Sequence, residues 1–156
     1  MDTLYVKSFR ELDIDQLYAL LKARHDVFVV EQHCPYPDLD GRDQESLHLF
    51  YADGTGRVTA YMRMFPKADE PGTVRISRVL TVDRGTGLGG RLLQDGIRTA
   101  RERLGAREIY VEAQSHAVGY YAREGFQICS EEFLDDGIPH KQMRLKLVQP
   151  VEPSIF

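Results

Sequence analysis

Two cysteines in 156 residues, Cys34 and Cys129, are too few for a disulfide framework. A chain this long needs none, because it buries roughly 68–70% of the surface its unfolded form exposes. There is no excess of positive charge either. Twenty Lys and Arg against 24 Asp and Glu give a formal net charge of -4, which argues against a nucleic-acid partner whose phosphates would have to be neutralised. Long apolar runs are missing as well. Stretches such as Val27 to Val30 fall far short of the roughly 20 residues that span a bilayer, so neither a transmembrane helix nor a membrane partner is expected. The first residues carry Asp2, Lys7, Arg10 and Glu11 where a secretory signal needs an apolar core. A reducing cytoplasm, with both cysteines as free thiols, is the expectation.

What is present is 42% hydrophobic and 28% charged residues, the profile of one domain over residues 1–156. Alternation from Leu4 to Phe9 predicts a short strand. Asp13 with Gln16 three residues on is a capping pattern, and Leu17, Leu20, Leu21, Arg24 and Phe28 recur at helical spacing, predicting a helix from about Ile14 to Val27. From Glu31 to Glu45, two prolines, Gly41 and the acids Asp38, Asp40 and Asp43 read as an irregular acidic loop. Leu47 to Ala52 and Val58 to Phe65 are strand-like and joined by the hairpin signal Asp53-Gly54-Thr55-Gly56.

Val74 to Val82 predicts another strand, which runs into Arg84-Gly85-Thr86-Gly87-Leu88-Gly89-Gly90. Leu88, Leu92, Leu93, Ile97, Ala100 and Leu104 then form one helical stripe closed by Gly105. Glu108 to Ala113 returns as a strand and completes a βαβ unit. A short helix over about Ala117 to Arg123, a strand after Gly125-Phe126 and a last strand through Met143, Leu145 and Leu147 beyond the Asp135-Asp136-Gly137 turn finish the chain. The class is α/β: a mixed, mostly antiparallel sheet with one central βαβ unit and helices on both faces.

A strand feeding a glycine turn that opens a helix is a general anion cradle, since small residues let backbone N–H groups approach a phosphate and the helix dipole favours negative charge. A merely structural tight turn is the competing reading. Five glycines between positions 85 and 96 weigh against it, because those inside the helix each cost roughly 0.8–1 kcal/mol of propensity. Gly85, Gly87 and Gly90 satisfy the dinucleotide pattern G-x-G-x-x-G, but that motif belongs at the first turn of an all-parallel alternation, and hairpin signals flank this one. No Lys-Ser or Lys-Thr pair follows the last glycine, which excludes a P-loop. His33, Cys34, Asp38 and Asp40 match no zinc or calcium spacing, so no metal is expected.

Arg84, Gly87 and Gly89 also fit Arg-x-x-Gly-x-Gly, and here the chain resembles the GNAT superfamily of acyl-CoA N-acyltransferases. Tyr121 to Phe126, Tyr-Ala-Arg-Glu-Gly-Phe, is similar to the second signature of that family. Finer resemblance to its ElaA-type branch lies in Arg24-x3-Phe28-Val29-Val30-Glu31-Gln32, Cys34-Pro35-Tyr36, Asp38-x-Asp40-Gly41 and Asp136-Gly137-Ile138-Pro139-His140. The resemblance implies a GNAT-like fold, acetyl-CoA as co-substrate, and a small-molecule or peptide amine that attacks the thioester directly. It implies acetyl-facing backbone contacts at Val79, Leu80 and Thr81, and pyrophosphate contacts at Arg84, Gly85, Thr86, Gly87, Leu88, Gly89 and Gly90. The family's usual proton donor falls on Tyr121. Monomer and homodimer both stay open.

A proton must also leave the attacking ammonium. Glu112, at the end of the returning strand, and Glu31, after the first helix, are the candidate bases, with His140 and His48 as further ones. The acidic loop would favour a cationic ligand, which suits an amine and equally suits a solvated loop. A non-catalytic acyl-CoA-binding sensor is the alternative function, keeping the cradle without a competent base.

Overall fold

The computed structural model describes residues 2–82 and 85–147. The strands are β1 (Thr3–Ser8), β2 (Leu47–Ala52), β3 (Val58–Pro66), β4 (Thr73–Thr81), β5 (Glu108–Gln114), β6 (Gln127–Ile128), β7 (Phe133–Asp135) and β8 (Ile138–Lys146). The α-helices are α1 (Ile14–Arg24), α2 (Leu88–Leu104) and α3 (Val118–Ala122). All eight strands join one sheet in the order β1-β2-β3-β4-β5-β8-β6, with β7 also paired to β8. Every pairing is antiparallel except β4 with β5, the two strands that α2 connects.

Period-two alternation decides which side chains each face buries. Leu49, Met62, Met64, Ile76, Ile109, Val111 and Met143 form the face beneath α2, meeting Leu92, Leu93 and Ala100. Gly96 allows the helix to come down on the sheet: a Cβ there would lie 2.4 Å from Met62 Sδ. On the opposite face Leu20 and Ala23 of α1 pack on Phe50, Tyr61 and Leu80. Helices therefore cover both faces, as the alternating pattern predicts.

The first helix departs from expectation. Its capped start is as predicted, with Asp13 Oδ1 accepting from Gln16 N at 2.7 Å and Gln16 Oε1 accepting from Asp13 N at 3.1 Å. Regular α geometry ends at Arg24, and the chain continues to Glu31 in wider π-helical turns. The bonds from Gln32 N to Val27 O and Cys34 N to Val29 O span five residues. Extra residues per turn rotate the side chains, so that Arg24 is buried toward the acidic segment while Val27 and Phe28 face a cleft beside β4.

That acidic segment is not a solvated loop. Asp43–Glu45 forms a 3₁₀ turn, and Asp38 and Asp43 are buried. Arg24, fully enclosed, donates from Nε to Asp38 Oδ2 at 2.9 Å and from Nη1 to Asp43 Oδ1 at 2.7 Å. Arg63 donates from Nη1 to Asp40 Oδ1 at 2.8 Å and Asp43 Oδ1 at 3.0 Å, and Arg78 Nε lies 2.8 Å from Asp38 Oδ1. Burial alone would raise the pKa of Asp40 and Asp43, but the arginine hydrogen bonds and charges outweigh it and hold both below the ordinary carboxylate range. Three aspartates and three arginines thus form a block whose formal charges cancel. The expectation that these acids serve a cationic ligand is corrected accordingly.

Candidate active site

β4 and β5 pair only over Thr73–Arg75 and Glu108–Tyr110. Beyond Arg75 and Tyr110 they separate, so the sheet forks. Two features push β4 away. The β3–β4 register slips by one residue between Tyr61 and Arg63, and Arg78 has φ +56, left-handed backbone that a non-glycine residue seldom adopts. A bulge of this kind bends a strand and re-aims the residues after it. In β4 those residues are Val79, Leu80 and Thr81, all of which line the resulting cleft.

The cleft, about 490 Å³, passes through the fork from one face of the sheet to the other. On the α2 side it meets Gly85 to Gly90. Gly85 and Gly87 have φ +87 and +78, conformations that need glycine, and Gly87 is the residue from which α2 starts. Gly87 has no side chain to offer as a cap, and the first N–H of the helix, Leu88 N, donates to Thr86 Oγ1 at 3.4 Å. Gly89 is small for another reason: a Cβ would sit 3.1 Å from Thr81 Cγ2 and 3.6 Å from the Tyr120 ring. A helix start capped by glycine, with small residues on an exposed turn, suits an anion such as a pyrophosphate. Arg84 lies outside the described residues.

Tyr120 and Tyr121 on α3 divide as adjacent helical positions should. Tyr120 donates its hydroxyl to Gly89 O at 2.6 Å and so ties α3 to the glycine turn. Tyr121 is buried, edge-on to Tyr120 and Phe126, and lines the cleft, and its hydroxyl makes no hydrogen bond to a described residue. Burial pushes its phenol well above the ordinary range, so it is protonated at neutral pH.

On the other side of the sheet lie the groups for an acceptor. Glu112 lines the cleft, half-buried, its Oε2 accepting the Tyr110 hydroxyl at 2.7 Å and its Oε1 3.4 Å from Arg75 Nη2. Two residues on, Gln114 exchanges reciprocal amide hydrogen bonds of 3.2 and 3.3 Å with Gln32, joining the end of β5 to the end of the π-helical turns. His140, opposite Gln114 in the β5–β8 register, also lines the cleft. Its Nδ1 stands 2.7 Å from Ile138 O. A carbonyl only accepts, so Nδ1 carries the hydrogen and Nε2 of the neutral ring is left with a lone pair.

The other two candidate bases are elsewhere. Glu31 is exposed on a separate groove shared with Tyr5, Asp26 and Val82. His48 is buried outside the cleft, between the Tyr61 hydroxyl at 2.6 Å and Asp43 O at 2.9 Å. Sequence reading missed Arg75, Gln32 and Gln114. Alternation along Glu108 to Gln114 would have placed Glu112 and Gln114 on one face, but nothing local reveals the π-helical turns that bring Gln32 across.

A cleft that crosses a sheet between two parting parallel strands and meets a glycine-turn helix start is the architecture of acyl-CoA acyltransferases. Residues 19–147 match the family described as Acetyltransferase (GNAT) domain. A UPF0039 protein of Schizosaccharomyces pombe is 38% identical over 144 residues, 90% of this chain and 95% of that one. The crystal structure of an acyl-CoA N-acyltransferase from Pseudomonas aeruginosa superposes with a TM-score of 0.84 at 38% identity, covering 92% of this chain and 99% of the other. Escherichia coli ElaA superposes with a TM-score of 0.85 at 34% identity, with the same coverages. The chain belongs to the GNAT acetyltransferase family, in its ElaA-type branch, and its class of activity is acyl-CoA-dependent N-acyl transfer.

Proposed function

We propose that this protein transfers an acetyl group from acetyl-CoA to a primary amine in the cytoplasm, by direct attack of the amine on the thioester. One observation carries the reading: a single cleft joins the glycine turn, the parted edge of β4 and the Tyr121 hydroxyl. Backbone N–H groups from Gly85 to Gly90 hold the pyrophosphate, and Arg84 adds a charge that favours it. The backbone of Val79, Leu80 and Thr81 faces the acyl group. Tyr121 donates a hydrogen bond to the departing sulfur and then its proton. Burial favours the protonated phenol, so Tyr121 enters this step as a donor and regains its proton from solvent afterwards.

Glu112 attracts the acceptor's ammonium and takes its proton through a water. His140 is a second reading for the base, supported by the tautomer that leaves Nε2 free to accept. The test is thiol release from acetyl-CoA with a panel of amines, in the wild type and in Tyr121→Phe. Loss of one hydroxyl removes almost no packing, so acetyl-CoA affinity should hold while kcat and kcat/KM fall together, by about 10²- to 10⁴-fold for a positioned acid. Binding of acetyl-CoA without thiol release for any amine would favour the sensor reading. Equal rates for wild type and Tyr121→Phe would remove Tyr121 from the chemistry.

A further inference from the structure

The arginines beside the cleft are not used alike. Arg78 is held by Asp38 and Asp40 and serves the ion block. The side chain of Arg75, three residues earlier on the same strand, makes no hydrogen bond to any described residue; Nε of both arginines is enclosed without a hydrogen bond, but Arg78 Nη2 donates to Asp38 O and Asp40 whereas the Arg75 nitrogens donate to none. Its one ionic neighbour among the described residues is Glu112, with Nη2 3.4 Å from Oε1, and its guanidinium lies 5.7 Å from the Tyr110 ring centre. An arginine with its donor fork unfilled, beside a carboxylate, at the floor of a cleft, is an unspent recognition element.

Its position says for which ligand. Arg75 and Tyr110 are the last residues paired before the fork, and Glu112 is the next residue of β5 on the same face. Val74, Ile76, Ile109 and Val111 occupy the face beneath α2, so Arg75 and Glu112 point the other way, while the glycine turn and Tyr121 are on the α2 side. The acceptor's side of the fork therefore presents the Arg75 guanidinium and the Glu112 carboxylate next to each other, with Asp135 and Asp136 also lining the cleft. Glu112 has already spent one oxygen on Tyr110. Its other oxygen faces Arg75 Nη2 at a loose 3.4 Å, and a molecule bearing an ammonium and a carboxylate a few bonds apart matches the two groups of that pair.

We infer that the acceptor amine is a small zwitterion of the amino-acid type, with its carboxylate taken by Arg75 and its ammonium by Glu112 at the apex of the β4–β5 fork. A simple amine would leave the Arg75 donors unfilled and should be disfavoured by about ten- to a hundredfold, the usual weight of a hydrogen bond to a charged group. This deepens the acetyltransferase reading and rests on it for the identity of the nucleophile, but not for binding.

The experiment pairs each amino acid with its decarboxylated counterpart: leucine with 3-methylbutylamine, histidine with histamine, phenylalanine with phenethylamine. In 15N-labelled protein with CoA added, the Arg75 Nε–H resonance, assigned by its loss in Arg75→Gln, should shift saturably with at least one zwitterion and not with its partner amine. In acetylation assays the wild type should prefer that zwitterion by at least about tenfold in kcat/KM. Arg75→Gln should bring the ratio near one through KM, and Arg75→Lys should recover part of it, charge without the fork. No saturable shift with any zwitterion, or a ratio unchanged in Arg75→Gln, overturns the inference even if amines are acetylated. A saturable shift without acetylation keeps the zwitterion site and sinks the acetyltransferase reading instead.

Discussion

Asp43 is the node where two buried arginines meet, and replacing it by alanine tests whether the acidic segment is an internal strut. Its Oδ1 accepts from Arg24 at 2.7 Å and from Arg63 at 3.0 Å, with Arg24 fully buried and Arg63 2% exposed. At an effective dielectric of about 20, each contact is worth roughly 5–6 kcal/mol of gross attraction, most of it offset by the desolvation of the charges. Removing one partner of a buried pair typically costs about 3–5 kcal/mol. Arg24 keeps Asp38 and Arg63 keeps Asp40, so Asp43→Ala should fall at the lower end, about 3 kcal/mol. For a domain of this size that corresponds to a fall in Tm of roughly 6–12 °C. The chain has no tryptophan, so urea unfolding is followed by far-UV circular dichroism. Asp43→Asn, which keeps an uncharged acceptor, should lose less. Adding Arg24→Met to Asp43→Ala should cost less than the two single losses together, because the residues share one network. A loss below about 1 kcal/mol for Asp43→Ala, with unchanged m-value, would mean that the segment is solvated and the strut does not exist.

Three further outcomes are expected. Saturating acetyl-CoA at 100 times its Kd should add about 2.7 kcal/mol to wild-type stability, and Gly87→Val, which forces a branched residue into φ +78, should abolish that gain; normal binding by the variant would place the cradle elsewhere. Gly96→Ala drives a Cβ into Met62 Sδ, fully enclosed, and should destabilise by about 1–3 kcal/mol in the same urea assay, whereas an unaffected midpoint would mean α2 shifts freely on the sheet. Burial lowers the pKa of His48, so the unfolded chain binds the extra proton and stability declines as pH falls below about 6.5, by at most about 1.4 kcal/mol per pH unit. The depressed Asp40 and Asp43 values extend the decline below about pH 4, with their contribution complete above it. A urea midpoint flat from pH 7.5 to 4.5 would contradict the His48 part.

The sheet was legible because its signals are local: alternation, the Asp53 turn, the stripe on α2 and its Gly105 cap are each set by neighbours within a few residues. The glycine turn and Tyr121 were legible for the same reason, as contiguous motifs. What escaped was set by distant partners. A count of acids from Asp38 to Glu45 does not show that Arg24, Arg63 and Arg78, 14 to 40 residues away along the chain, neutralise three of them. The stop of regular helix at Arg24 follows from packing Val27 and Phe28 toward the cleft, which helical spacing alone does not encode. Glu31 and Glu112 look alike as carboxylates at element ends; tertiary packing puts one on an outer groove and the other at the fork.

The three shared rungs between β4 and β5 have a mechanical meaning. β5 is riveted to β8 over seven positions and β1 to β2 over six, so the seam between the two leaves of the sheet is the weakest joint among these strands. Across it run the α2 crossover and the Gln32–Gln114 amide clasp. The Arg75–Glu112 ion pair spans it as well, so charged and neutral side chains both bridge the leaves beside the seat of α2 on Met62 and Met64. Beyond the three rungs the facing edges of β4 and β5 do not pair with each other, so the seam is where one continuous sheet turns inner strand edges toward a cleft.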